Sequence, residues 1–175
     1  METLQLKDIA AYLPYKLRFK GFEDMGIIYE IEPTDDNLHF INSGKYSISQ
    51  ITPILKPISD LNKPLEDGSI PIVELAKICY RKAGYNAIIK EEKCYVINNW
   101  GAKLYRFYFD MYHKSFYSMT LFVVSSYGDK ETKYSEDRDV GVHNQIQLFD
   151  YLNEHHFDYR NLIGRNLAID INTIE

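Results

Sequence analysis

Leu104-Tyr-Arg-Phe-Tyr-Phe-Asp-Met-Tyr-His-Lys-Ser-Phe-Tyr-Ser-Met-Thr-Leu-Phe-Val-Val-Ser125 is the stretch that decides the fold. It is rich in aromatic and aliphatic residues and contains neither proline nor glycine. One polar run, His113-Lys114-Ser115, interrupts it, so the pattern predicts two long strands, 104–112 and 116–125, joined by a tight turn. Strand side chains alternate between faces. Tyr105, Phe107, Phe109 and Met111 then share a face expected to be core, and Arg106, Tyr108, Asp110, Tyr112 and Lys114 share the other. That second face interleaves tyrosines with cations, the composition that stacks unpaired bases while neutralising phosphates. Aromatic pairs across strands are also a routine way of stabilising a sheet.

Residues 86–90 and 94–97 predict a second hairpin around Glu91-Glu92-Lys93. Before it, Ser69 is placed to cap a helix over 70–83, with Pro71 in the first turn, Ile72, Leu75, Ala76 and Cys79 on the inner stripe, and Gly84 past the end. Downstream, the polar run 127–141 predicts a loop. Asn144 with Gln147 forms a capping box for a helix over 144–157 that turns Ile146, Phe149 and Leu152 inward. A turn over 158–163 closes at Gly164, and alternation in 167–171 predicts an edge strand.

In the first third, Leu6, Ile9, Ala10 and Leu13 stand at helical spacing within 4–13, and Pro14 ends the run. Residues 15–22, 27–31 and 38–41 predict strands. The segment Ile51-Thr-Pro-Ile-Leu-Lys-Pro-Ile-Ser-Asp-Leu-Asn-Lys-Pro64 is different, because each proline removes a backbone donor and fixes φ. It predicts neither helix nor central strand but an extended strap ending at Glu66-Asp67-Gly68. The whole predicts an α+β fold, a mostly antiparallel sheet packed by about three helices, in a single domain over residues 1–175. If the chain has two lobes, the border lies within 51–68.

A chain of 175 residues has the length of one ordinary domain, and 45% hydrophobic composition supplies a core. Its net charge of −5 argues against a generic phosphate-coating protein, which needs a surplus of Lys and Arg. Charge is nevertheless uneven: residues 81–120 hold seven basic against three acidic side chains, together with ten of the aromatics. The longest apolar run, 119–124, is strand length, far short of the roughly 20 residues of a membrane helix. Met1-Glu-Thr-Leu-Gln-Leu-Lys-Asp8 lacks the basic-then-apolar order of a secretory leader, so a soluble cytoplasmic protein is expected.

Catalytic chemistry has little to build on. Cys79 and Cys94 are not spaced as a CxxC pair, and two buried, inert thiols are expected of them. Six carboxylates lie in 23–36 without a Lys or Arg, a charge block that reads as a solvated edge and lacks the alternating oxygens and central glycine of a calcium loop. His143, His156 and Asp158 could be imagined as a metal-dependent hydrolase. Adjacent histidines such as His155 and His156, however, diverge by about 100° on a helix and do not share an ion as an i, i+4 pair does. No serine or cysteine stands in a nucleophile context, and neither a phosphate loop nor a dinucleotide fingerprint is present. No catalytic residue, metal ligand or cofactor is assigned.

Five blocks carry a resemblance: Tyr12-Leu-Pro-Tyr-Lys-Leu17, Leu55-Lys-Pro-Ile-Ser-Asp-Leu61, Ile70-Pro-Ile-Val-Glu-Leu-Ala-Lys77, His155-His-Phe-Asp-Tyr-Arg-Asn-Leu-Ile163 and Leu167-Ala-Ile-Asp-Ile-Asn-Thr173. In these the chain resembles a family of small uncharacterised proteins encoded by phages, prophages and mobile elements of gut anaerobic bacteria. The resemblance implies an accessory protein of phage type and carries over no catalytic residues. A noncatalytic protein that binds another macromolecule or itself is therefore expected, with a protein partner or self-association first. The alternative is single-stranded nucleic-acid binding through Arg106, Tyr108, Tyr112 and Lys114.

Overall fold

The computed structural model describes residues 2–20, 28–32, 37–40, 44–80, 85–90, 93–98, 104–124, 133–142 and 144–174. In chain order its first elements are α1 (Leu6–Ile9), β1 (Ile28–Glu32), β2 (Asn37–Phe40), β3 (Gly44–Ser47), β4 (Ile54–Pro57) and α2 (Pro71–Cys79). There follow β5 (Tyr85–Lys90), β6 (Lys93–Asn98), β7 (Leu104–Asp110), β8 (Ser115–Val124), β9 (Lys133–Gly141), α3 (Gln145–Glu154), β10 (Phe157–Asp158) and β11 (Ile169–Asp170). The fold is mixed α+β. The chain divides into two units, Met1–Ile58 with Asp150–Glu175, and Ser59–Phe149.

The first unit carries the antiparallel sheet β1-β2-β3 and the parallel sheet β10-β4-β11. β4 thus runs as a central strand through the proline-rich segment, against expectation. The prolines are tolerated because of where they stand. Ile169 and Asp170 pair with Ile54 and Leu55, and Phe157 and Asp158 with Lys56 and Pro57. Pro53 contributes its carbonyl, which accepts the Ile169 N–H at 2.8 Å, while the donors come from Ile54, bonded to Arg18 O at 2.9 Å, and Lys56, bonded to His156 O at 2.9 Å. A four-residue strand bounded by prolines needs no donor from either. The N-terminal helix is shorter than its spacing suggests, because a 3₁₀ turn at Leu13–Tyr15 takes over and left-handed Lys16 (φ 58°) ends it. The strand expected over 15–22 is reduced to one bridge, Phe19 to Pro53; residues 21–27, like much of the acidic block, lie outside the described residues.

The second unit is built on a five-stranded antiparallel meander, β5-β6-β7-β8-β9. One face is covered by α2, which lies against β5, β6 and β7 and buries Ile72, Leu75 and Ala76; Cys94 donates its thiol to Ile72 O at 3.8 Å. Cys94, Val96, Phe107 and Phe116 are buried on that face. Phe107 and Phe116, diagonal neighbours across β7 and β8, stack at 5.5 Å, and Phe109 and Phe116 meet Phe149 of α3 edge-on.

Three expectations change here. β9 occupies 133–141, where a loop was expected; an edge strand tolerates the charges that make this run look like a loop. The residue before α2 is Ile70 with no side-chain cap, and Ser69 instead bonds Asp67 Oδ1 through both N–H and Oγ. Ile146, expected to turn inward, points outward at 78% exposure.

Candidate binding surface

β7 stops at Asp110, and 111–114 is a turn. The reason is local. Asp110 Oδ1 accepts the N–H groups of Tyr112 at 2.7 Å and His113 at 2.9 Å, taking the chain out of the extended ladder. The hydrogen bond from the His113 amide, followed by those from the His113 ring at 3.3 Å and the Tyr112 amide, holds the Asp110 carboxyl below the ordinary range. Lys114 closes the turn in the left-handed region (φ 48°). Tyr112 and Lys114 therefore do not continue the alternation of Arg106 and Tyr108, as expected of a longer strand. They stand on the tip beyond it, with Tyr112 89% exposed and Met111, expected in the core, also exposed.

Behind the tip, the register sets Tyr108 opposite Tyr117, and their rings stack at 6.1 Å with planes 25° apart. His113 meets Tyr117 at 5.8 Å and Tyr112 at 4.9 Å, the latter edge-on. At the inner end the Arg106 guanidinium lies over the Tyr108 ring at 5.0 Å. Arg106 Nε is buried without a hydrogen-bond partner among the described residues. The result is one continuous series, Arg106, Tyr108, Tyr117, His113 and Tyr112, with Lys114 in the same turn. His113 and Tyr117 were not singled out by sequence reasoning. The signal was present: a turn capped by Asp110 and closed at Ser115 places Tyr108 across from Tyr117.

Comparison with protein-family models, with curated proteins and with solved structures returns no match.

The remaining reactive groups are held by structural contacts. His156, left-handed at φ 59°, donates Nε2–H to Tyr15 O at 2.8 Å, and burial pushes its pKa down. Asp158 accepts the N–H groups of Leu162 and Ile163 at 2.8 and 2.7 Å, and burial raises its pKa in spite of them. His143, the third member of the imagined hydrolase, lies outside the described residues. Among the described residues no three His, Cys, Asp or Glu side chains form a group that could hold a metal ion. Burial raises the thiols of half-buried Cys79 to about 11 and buried Cys94 to about 12, so neither is a thiolate near neutral pH. A cleft of about 290 Å³ is lined by Glu2, Thr3, Gln5, Lys7, Asp8 and Arg165, and its one guanidinium is engaged by Glu2 and Asp8. Among the described residues no helix is long and apolar enough to cross a membrane.

Proposed function

We propose that this chain is a noncatalytic binding protein whose contact surface is the tip and outer face of the β7–β8 hairpin. The observation that carries the reading is Tyr112, 89% exposed on a turn whose amides Asp110 pins. Cross-strand stabilisation accounts for Tyr108 and Tyr117, which stack on each other, but not for a ring that stands clear of the sheet. A large aromatic side chain on a rigid backbone is the kind of anchor that dominates contact energies, because little freedom is lost on binding. Met111 in the same turn adds exposed apolar area. Together with the resemblance to phage-encoded accessory proteins, this supports a cytoplasmic accessory protein of a phage or mobile element that binds another macromolecule or itself.

Tyr112→Ala tests the reading. The substitution removes no buried group, so thermal stability should stay within about 0.5 kcal/mol of the parent. Association, followed by sedimentation and by crosslinking from a photoreactive amino acid at position 112, should fall. A strictly monomeric mass with no adduct to protein or nucleic acid would overturn it.

A further inference from the structure

We infer that the ligand of this surface is a short run of unpaired nucleic acid, an assignment that rests on the proposed contact role of the hairpin. Three findings converge on it. The rings form an unbroken series in which each touches the next, from Tyr112 through His113 and Tyr117 to Tyr108. With Tyr108 stacked on Tyr117 and covered by Arg106, a base would join the series at its tip end, on the exposed Tyr112 ring, since every base has a π-face and stacking tolerates any sequence.

Cations accompany the series, Arg106 over Tyr108 at its inner end and Lys114 in the turn next to His113, the charges that the phosphates of a backbone running past the rings call for. Guanidinium and ammonium groups beside stacked rings are the arrangement by which single strands are held without base-specific hydrogen bonds.

The third finding concerns negative charge. Asp110 is the one carboxylate in residues 104–119, and it is directed into the turn, where two amides and the His113 ring engage it. Along β9, Asp139 registers with Met119, which itself pairs with Arg106, and Glu136 registers with Leu121, so Asp139 is level with Arg106 and both lie inward of the Tyr108–Tyr117 pair. The tip half of the surface, from Tyr108 and Tyr117 outward, is therefore aromatic, with Lys114 as its cation and its one carboxylate engaged in the turn, within a chain of net charge −5; this confines binding to the tip and disfavours coating of duplex phosphates.

The experiment is a fluorescence-anisotropy titration of the full chain with labelled oligothymidylate and oligouridylate. For two neutralised phosphates the log–log salt slope of a single strand is about −1.4, so affinity should fall about sevenfold between roughly 50 and 200 mM salt. Tyr112→Ala should weaken binding by about 5- to 150-fold, and Tyr112→Phe, which keeps the ring, should restore it. Lys114→Asn, which tolerates the left-handed backbone, should flatten the salt slope. Absence of binding at low salt, binding independent of salt, or full affinity in Tyr112→Ala would overturn the assignment. The photoreactive residue at 112 separates the two levels. A nuclease-resistant protein adduct would overturn nucleic acid as the ligand and leave the surface's contact role intact; no adduct of any kind would overturn both.

Discussion

Gln145 offers its side-chain amide to both backbone groups of one residue, Phe116: Oε1 accepts the N–H at 3.1 Å and Nε2 donates to the carbonyl at 2.7 Å. β9 ends at Gly141, opposite Tyr117, so the amide stands where the next peptide of that strand would pair. Gln145→Ala should therefore leave part-buried backbone groups short of partners and cost about 1–3 kcal/mol in urea unfolding. Gln145→Glu keeps the acceptor but sets a carboxylate against the Phe116 carbonyl. It should cost more than alanine at neutral pH and recover as the pH falls toward the ordinary glutamate value near 4.3. An alanine variant as stable as the parent would show that the amide pair is replaceable by water.

Adjacent residues of β8 should lose very different amounts of stability to the same truncation. Phe116 is fully buried among Phe107, Phe109 and Phe149, so Phe116→Ala should cost about 3–5 kcal/mol by denaturant titration. Tyr117 lies on the outer face against Tyr108 and His113, and Tyr117→Ala should cost only about 0.5–1.5 kcal/mol, the worth of a surface aromatic pair. Equal losses would mean that the outer face is covered.

His156 should make stability pH-dependent in mild acid. Burial is the first cause of its lowered pKa; the hydrogen bond to Tyr15 O opposes it, and the charges of Lys56, His155 and Arg18 add to it. The unfolded chain takes up this proton near 6.5 and the folded chain only at lower pH, so stability is intact above about 6.5 and declines as the pH falls below it. Asp158, raised above 3.8 by burial, works in the opposite sense in its own window, where the folded state holds the extra proton. His156→Asn, which keeps a side chain suited to φ 59°, should flatten the slope below pH 6.5 in midpoint-against-pH measurements. An unchanged slope would assign the dependence to another group.

Most of the second unit, β9 excepted, was legible in the sequence because its signals are local. Alternation in 86–97 and 104–124 marks two hairpins, and the stripe Ile72, Leu75, Ala76 marks the buried side of α2. What alternation does not encode is where it stops. Phe109, Met111 and Tyr108, Tyr112 continue the pattern past Asp110, and only the side-chain bonds of Asp110 reveal that the ladder has ended. β4 was misread for the opposite reason. Proline rules describe a donor lost from a ladder, whereas Pro53 and Pro57 stand where acceptors suffice. β10, two residues long, has no periodicity to find, and its pairing to β4 spans about a hundred residues of chain. Ile146 and Ser69 show the limit of local capping and stripe rules, since contacts distant in sequence set the rotation of α3 and a nearer acceptor, Asp67, claimed the serine.

The Asp110 turn should be the acid-sensitive part of the candidate surface. Its carboxyl is held below the ordinary value of 3.8, first by the His113 amide, so the order it confers is present above that value and lost as the pH falls through the lowered one. Hydrogen exchange read by NMR should find the Tyr112 and His113 amides protected at neutral pH and released in strong acid, ahead of the β7–β8 ladder. Asp110→Asn keeps Oδ1 as an acceptor and should retain much of that protection without the acid response; Asp110→Ala should lose both. Because the turn fixes where Tyr112 stands, Asp110→Ala should weaken ligand binding although the tyrosine itself is retained, and Asp110→Asn should bind at least as well as the parent by removing a negative charge. Amides that exchange equally fast in the parent and in Asp110→Ala would show that the carboxylate does not organise the tip.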